Sequence, residues 1–319
     1  MALFFLNMKH TCSSLPLLQF LLIILILSSC EKFAEGVVHE VPFPEHTPRL
    51  SATLIVNDED QELVAMVTSS ASVLDSDGPQ FVQDAIVTLT EDNGQILYSL
   101  TQEDFSDEAY KLLLDDVFGD HDGELTVTVD APGFEQITAT NTMPSKPQFD
   151  FLFELNGDTI NSPWGIYVQD AFTLNFENNV GAAKHYLIHV DALFTDEFTG
   201  DTLDWTPDYL EARPDPRITN HRMTGGLIVS DESLASNENA LSEINFSAKS
   251  WGEKTENLPV SRRLRVVSLS PELANFYLTA DAHLSGGPDF FAEPSLIYSN
   301  FSGGFGCFGL SSQTVIEID

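Results

Sequence analysis

The chain has 319 residues, with 14 Lys and Arg against 49 Asp and Glu, a formal net charge of -35 at pH 7. Its 43% hydrophobic content suffices for packed cores and excludes a largely disordered chain. The acidity argues against a nucleic-acid partner, because phosphates need clustered cations. Three cysteines exclude both a disulfide scaffold and a cysteine-rich metal site.

The first thirty residues read as an address. Lys9 is the only charged side chain before Cys30. An apolar run over 15–27 is broken only by Pro16 and Gln19. That is the length of a signal-peptide core and falls short of the ~20 residues of a membrane span. The run ends in Leu27-Ser28-Ser29-Cys30. Small residues there admit a peptidase, and the cysteine sulfur can then carry lipid. We therefore expect a leader over 1–29 and lipidation of Cys30, against the alternatives of an ordinary cleaved signal or a retained anchor helix. Each buried acyl methylene contributes about 0.8 kcal/mol, so several chains hold a protein on a bilayer. No later segment is apolar enough to span a membrane. Cys12 leaves with the leader and Cys30 is acylated, so Cys307 is the one free thiol of the mature chain.

Residues 30–48 carry Pro42, Pro44 and Pro48 and read as a tether, with a short edge strand at 41–43. From 49 to 143 short strands alternate with turns. Strands are expected at 50–56, 63–68, 85–90, 95–100, 124–129 and 136–140, with turns at Gly78-Pro79, Asn93-Gly94, Asp122-Gly123 and Pro132-Gly133. This spacing predicts an immunoglobulin- or prealbumin-like β-sandwich. The stretch 106–116 is read as a further strand over a capped helical turn.

Two prolines in Met143-Pro-Ser-Lys-Pro147 mark a domain boundary. Beyond it, over 144–319, a second β-rich domain is expected, with strands at 149–155, 171–176, 185–191, 226–229, 243–248 and 263–269 and a long polar loop over 195–222. One short helix is predicted: Ser270 caps it, Pro271 opens it and Gly286-Gly287 ends it. Leu273, Phe276, Tyr277, Ala280 and Leu284 share its apolar face. The fold class is therefore all-β in the main.

The C-terminal stretches LSPEL (269–273), FAEP (291–294) and YSNFSGGFGCFG (298–309) resemble the end of a Bacteroidota outer-membrane lipoprotein family, domain of unknown function 4249. DAIVTLTEDNG (84–94) is similar to that family's first sandwich and VSDE (229–232) to a mid-chain motif. The resemblance covers roughly residues 30–319 and is most specific in the glycine-aromatic tail. Where the family has G-x-Y after its first hairpin, this chain has Glu108-Ala-Tyr110, and no glycine follows Ser230-Asp-Glu232. Members are commonly encoded beside TonB-dependent receptors. The resemblance thus implies an outer-membrane lipoprotein working with a nutrient-import channel, and supplies no catalytic residues.

Site candidates are few. The 303–309 tail lacks the Lys-Ser/Thr of a phosphate loop and reads as close backbone packing, with Phe305 and Phe308 in a core. Cys307 reads as buried and unreactive. Asp116, Asp120 and Asp122 are a weak calcium set, since their spacing departs from the EF-hand pattern. His185 and His189 stand about 13 Å apart along one strand, too far for one metal. No G-x-S-x-G elbow appears. Trp164, Trp205 and Trp251 are the weak ligand-binding candidates, weighed against loop anchoring. The expectation is a non-enzymatic, cofactor-free accessory or binding protein, tethered to the outer membrane and assisting a TonB-dependent receptor in nutrient uptake. The alternative is a structural or adhesive surface sandwich without a small-molecule ligand.

Overall fold

The computed structural model describes residues 46–72, 78–121, 123–162, 165–176, 185–195, 199–230, 243–252, 259–285 and 296–318. The chain divides into two compact units, 1–47 and 48–319. Cys30, the leader and the strand expected at 41–43 lie outside the described residues.

Among the described residues the second unit is all-β with one α-helix, the short C-terminal one expected. Its first half holds β1 (Leu50–Asn57), β2 (Glu62–Ser69), β3 (Gln80–Phe81), β4 (Ile86–Glu91), β5 (Ile96–Leu100), β6 (Phe105–Ser106), β7 (Ala109–Leu113), β8 (Glu124–Asp130) and β9 (Ile137–Thr142). Its second half holds β10 (Phe149–Ser162), β11 (Gly165–Phe176), β12 (His185–Leu193), β13 (Thr206–Pro207), β14 (Tyr209–Ala212), β15 (Ile218–Asn220), β16 (Leu227–Ser230), β17 (Ile244–Gly252), β18 (Ser261–Leu269), helix α1 (Pro271–Ser285) and β19 (Phe305–Ile318). The strands form because one residue in two is apolar. In β1, Leu50, Ala52, Leu54 and Val56 are buried while the residues between them are only partly covered.

An eleven-stranded sheet runs in the order β15-β16-β12-β18-β19-β1-β2-β7-β6, with β13 on β12 and β3 on β2. Two four-stranded sheets, β5-β4-β8-β9 and β10-β11-β17-β14, complete the set. One packs on the β1 side, where Leu54, Val56 and Leu63 meet Leu89, Leu125 and Val127. The other packs on the β12 side, where Ile188, Val190 and Leu264 meet Phe172, Leu174 and Phe246. Two sandwiches therefore share one wall. The hydrophobic cores largely separate at the proline-rich segment 144–147, but the sheet does not, because β1 pairs in parallel with β19.

The glycine-aromatic tail is the start of this seam strand. Gly306 takes φ +114°, and a Cβ there would collide with the Ala52 carbonyl; one on Gly304 would strike that of Leu50. Phe308 fills the first core as expected, whereas Phe305 stays 46% exposed because the alternation turns it to the outer face. The segment 144–147 is fastened to the same strand: Ser312 Oγ donates to Pro144 O at 2.7 Å and Thr314 Oγ1 to Pro147 O at 3.1 Å. Lys146 Nζ bridges Asp58 and Glu59, each at 2.9 Å.

Helix α1 covers the seam from the outer side. Ser270 Oγ accepts the Leu273 N–H at 3.3 Å and Asn141 Nδ2 donates to it at 2.9 Å. Leu273 and Ala280 are buried and Phe276 and Tyr277 pack partly, but Leu284 is exposed where the last turn extends past the sheet. The strand expected within 106–116 is the β6–β7 pair, turned at Asp107 and Glu108, both at positive φ. The polar loop expected over 195–222 contains β13, β14 and β15, strands too short to show periodicity.

Candidate functional site

A concavity lies on the outer face of the sheet β10-β11-β17-β14. Its residues alternate with the core set: Phe172 and Phe246 point inward, while Gln169, Ala171, Thr173, Asn245 and Ser247 face out. The register places Gln169 beside Lys249, Ala171 beside Ser247, and Thr173 beside Asn245. Strand β14 adds Tyr209 beside Lys249 and Glu211 beside Ser247. The small pair Ala171–Ser247 leaves a hollow of about 560 Å³, walled by Glu211, Arg213, Pro214 and Glu243.

Hydrogen bonds hold this floor in one arrangement. Thr173 Oγ1 donates to Asn245 Oδ1 at 2.7 Å, and Asn245 Nδ2 donates to Glu243 Oε1 at 2.7 Å. Ser247 Oγ donates to Glu211 O at 3.4 Å, and Lys249 pairs with the Glu211 carboxylate. The wall is pinned by Arg217, which clasps Asp215 at 2.5 Å and donates to Glu243 O at 3.0 Å. That guanidinium holds the Asp215 carboxyl below its ordinary value.

Beneath the floor lies a buried ion cluster. Arg262 of β18 is 0% exposed, donates from Nε and Nη2 to Asp170 Oδ2 at 2.8 and 2.5 Å, from Nη1 to Ser250 Oγ at 2.6 Å, and pairs with Asp208. It rivets the shared wall to the sheet that carries the hollow. Burial pulls this guanidinium below its usual range, opposed by Asp170.

On the outer face of the shared wall, beside α1, Arg263 and Arg265 both bond Asp191, at 3.0 and 3.1 Å to Oδ2. Trp205 lies under the Arg263 guanidinium, 4.7 Å from its ring centre. His189 is packed against Gly226, and burial, then the Arg265 charge, lowers its pKa to about 4. A second cleft of about 580 Å³ opens nearby, lined by Tyr209, His221, Arg222, Gly226 and Asp281. His221 is buried and bonded to Thr224 Oγ1 at 2.8 Å and Tyr277 O at 3.1 Å.

The sequence candidates are scattered. Trp205 braces Arg263. Trp251 stands in β17 opposite Tyr167, its side chain outside the described residues, as is Trp164. Asp122 also lies outside them. Asp116 Oδ1 accepts its neighbour's Val117 N–H at 2.8 Å, Asp120 is exposed, and no group of three metal-ligating side chains converges among the described residues. That loop instead plugs the first sandwich with Phe118, whose N–H donates to Asp60 O at 2.8 Å. Burial pushes the Cys307 thiol up to about 12, as suits an inert core cysteine. His185 pairs across strands with Ser230, Nδ1 to Oγ 3.0 Å. Sequence reasoning missed Arg262 and the hollow; the run Arg262-Arg263-Leu264-Arg265, in a chain of 14 cations, was the available signal.

The family model for the domain of unknown function DUF4249 matches residues 40–317. The chain belongs to the DUF4249 family. The hollow, the ion cluster and the seam all fall within the matched DUF4249 region. No curated protein matches the sequence. Among solved structures, trypsin-activated alpha-2-macroglobulin from Escherichia coli is 11% identical over 73% of this chain and 15% of that one, with TM-score 0.22. BcpA, the major pilin subunit of Bacillus cereus, is 9% identical over 71% and 65%, with TM-score 0.20. The RrgB pilus protein from Streptococcus pneumoniae is 11% identical over 69% and 48%, with TM-score 0.18. This DUF4249 chain thus spans 15% of the macroglobulin and just under two thirds of the BcpA pilin.

Proposed function

We propose that this DUF4249 protein is a lipid-anchored outer-membrane accessory protein that binds a nutrient and assists a TonB-dependent receptor in its uptake. The observation that carries the binding reading is the hollow on the β11–β17–β14 face, whose polar floor is ordered before any ligand arrives. The anchoring reading rests on Leu27-Ser28-Ser29-Cys30, and the receptor on the family's usual gene neighbourhood. The reading assigns no reaction. Its support is that the Ser230–His185 contact is a cross-strand pair with His185 only 2% exposed, closed to a substrate.

Mass spectrometry of the native N-terminus, with co-purification from detergent-solubilised outer membranes, tests the proposal. Acylated Cys30 and a co-eluting receptor are expected; an unmodified N-terminus, or a protein recovered alone from the medium, would overturn it. The adhesive or spacer alternative draws on one feature, the two sandwiches fused by a continuous sheet. It predicts that deletion weakens surface attachment and leaves growth on every single nutrient intact.

A further inference from the structure

We infer that the hollow on the β11–β17–β14 face takes a neutral, polyhydroxylated ligand of oligosaccharide class. This rests on the binding reading above and names the ligand chemistry that reading leaves open. Three features of the hollow carry it.

The first is charge. Glu211 and Glu243 at the hollow are matched by Lys249 and Arg213, so the site is locally balanced in a chain whose formal net charge is -35. The surrounding field repels an anion. A cation finds Glu211 already paired to Lys249 and one Glu243 oxygen already holding Asn245.

The second is hydrogen-bonding capacity. Thr173 Oγ1 spends its proton on Asn245 and keeps its lone pairs; Asn245 keeps one N–H; Glu243 keeps an oxygen. Donors and acceptors therefore alternate along the floor, which suits hydroxyls that donate and accept at once. Ala171 and Ser247 supply the depth a ring needs.

The third is shape. From the Thr173–Asn245 row to the Gln169–Lys249 row the floor extends about 13 Å at strand rise. Tyr209, 60% exposed, stands at the far row, where it also lines the second cleft. An exposed ring at the end of a polar groove can stack on the apolar face of a sugar.

The test uses the full lipidated protein in detergent and isothermal titration with maltohexaose, cellohexaose, laminarihexaose and xylohexaose, with hexagalacturonate and hexalysine as charged controls. At least one neutral hexasaccharide is expected to bind saturably. Ala171→Trp, which fills the hollow from an exposed position, should weaken it at least tenfold, and Tyr209→Ala about fivefold, with the urea midpoint unmoved. Should Ala171→Trp shift that midpoint, Gln169→Ala replaces it and should weaken binding severalfold. No binding by any neutral oligosaccharide, equal binding by both variants, or preference for either charged control would overturn the inference. A receptor that still co-purifies in that event refutes only the ligand class; loss of the receptor as well refutes the accessory reading.

Discussion

Replacing Arg262 by Met keeps the length of the side chain and removes its charge and five donors. In the native fold that guanidinium satisfies Asp170 through two bonds, at 2.5 and 2.8 Å, and Asp208 and Ser250 through Nη1. None of these groups can turn to water: Asp170 is 0% exposed and Asp208 8%. Two buried carboxylates would then lose the guanidinium that balances them, and removing one partner of a buried pair costs about 3–5 kcal/mol. Urea unfolding followed by tryptophan fluorescence reads this directly. With a slope of about 3 kcal/mol/M, the upper end of the range for small proteins and suited to a unit of this size, the midpoint should fall by about 1–2 M. Arg262→Lys keeps the charge but loses the fork and should sit between the two. The triple replacement Arg262→Met, Asp170→Leu, Asp208→Leu should recover most of the loss, since an apolar set of similar volume is often neutral in such sites. A single variant within about 1 kcal/mol of wild type, or a triple variant worse than the single, would refute the view of Arg262 as the rivet between the sheets.

His189 carries an acid-limb prediction. Its folded pKa of about 4 lies below the ordinary 6.5, so the unfolded chain takes up the proton first, and stability should fall as pH drops from about 6.5 towards 4, by on the order of 2–3 kcal/mol, and be indifferent to this group above 6.5. His189→Gln should flatten that part of a stability–pH curve. Glu108 sits at φ +68°, a conformation that glycine adopts without steric cost, so Glu108→Gly is expected to raise stability by about 1 kcal/mol in urea titrations. Gly306→Ala meets both a φ of +114° and the Ala52 carbonyl, and should cost at least about 3 kcal/mol or leave only unfolded protein on limited proteolysis. Tyr110→Phe removes a buried hydroxyl that accepts the Ala85 N–H at 2.8 Å and donates to Val82 O at 2.6 Å, at a cost of about 1–3 kcal/mol by the same titration.

What was legible in the sequence was local. The strands at 50–57, 86–91 and 124–130 announce themselves by period two, and the helix by Ser270-Pro271, because caps and alternation act within a few residues. Two things could not be read that way. β19 hides behind four glycines in GGFGCFG, which lower strand propensity; Gly304 and Gly306 are required because β1, some 250 positions earlier, lies against them, and Gly309 because Leu273 of α1 does. The hollow is invisible for a related reason: Ala171 and Ser247 are unremarkable residues until the register sets them side by side. The tryptophans drew attention as large and rare, yet the described one, Trp205, braces Arg263.

The seam also decides what the proline-rich segment means. Two prolines usually free one body from the next, yet here Pro144 and Pro147 both offer their carbonyls to side chains of β19, and Lys146 bridges to the β1–β2 turn. The first sandwich cannot complete its own core either, because Phe308 and Leu310 of β19 belong to it. The chain must therefore be whole before either half is stable, and once folded the two halves cannot swing against each other without breaking a seven-residue parallel ladder. For the tethered binder proposed above, that rigidity has a use. The hollow keeps a fixed position relative to β1, riveted through Arg262 and β18 to the sheet that β1 also belongs to, so whatever it holds is presented at a constant distance from the residue where this unit begins.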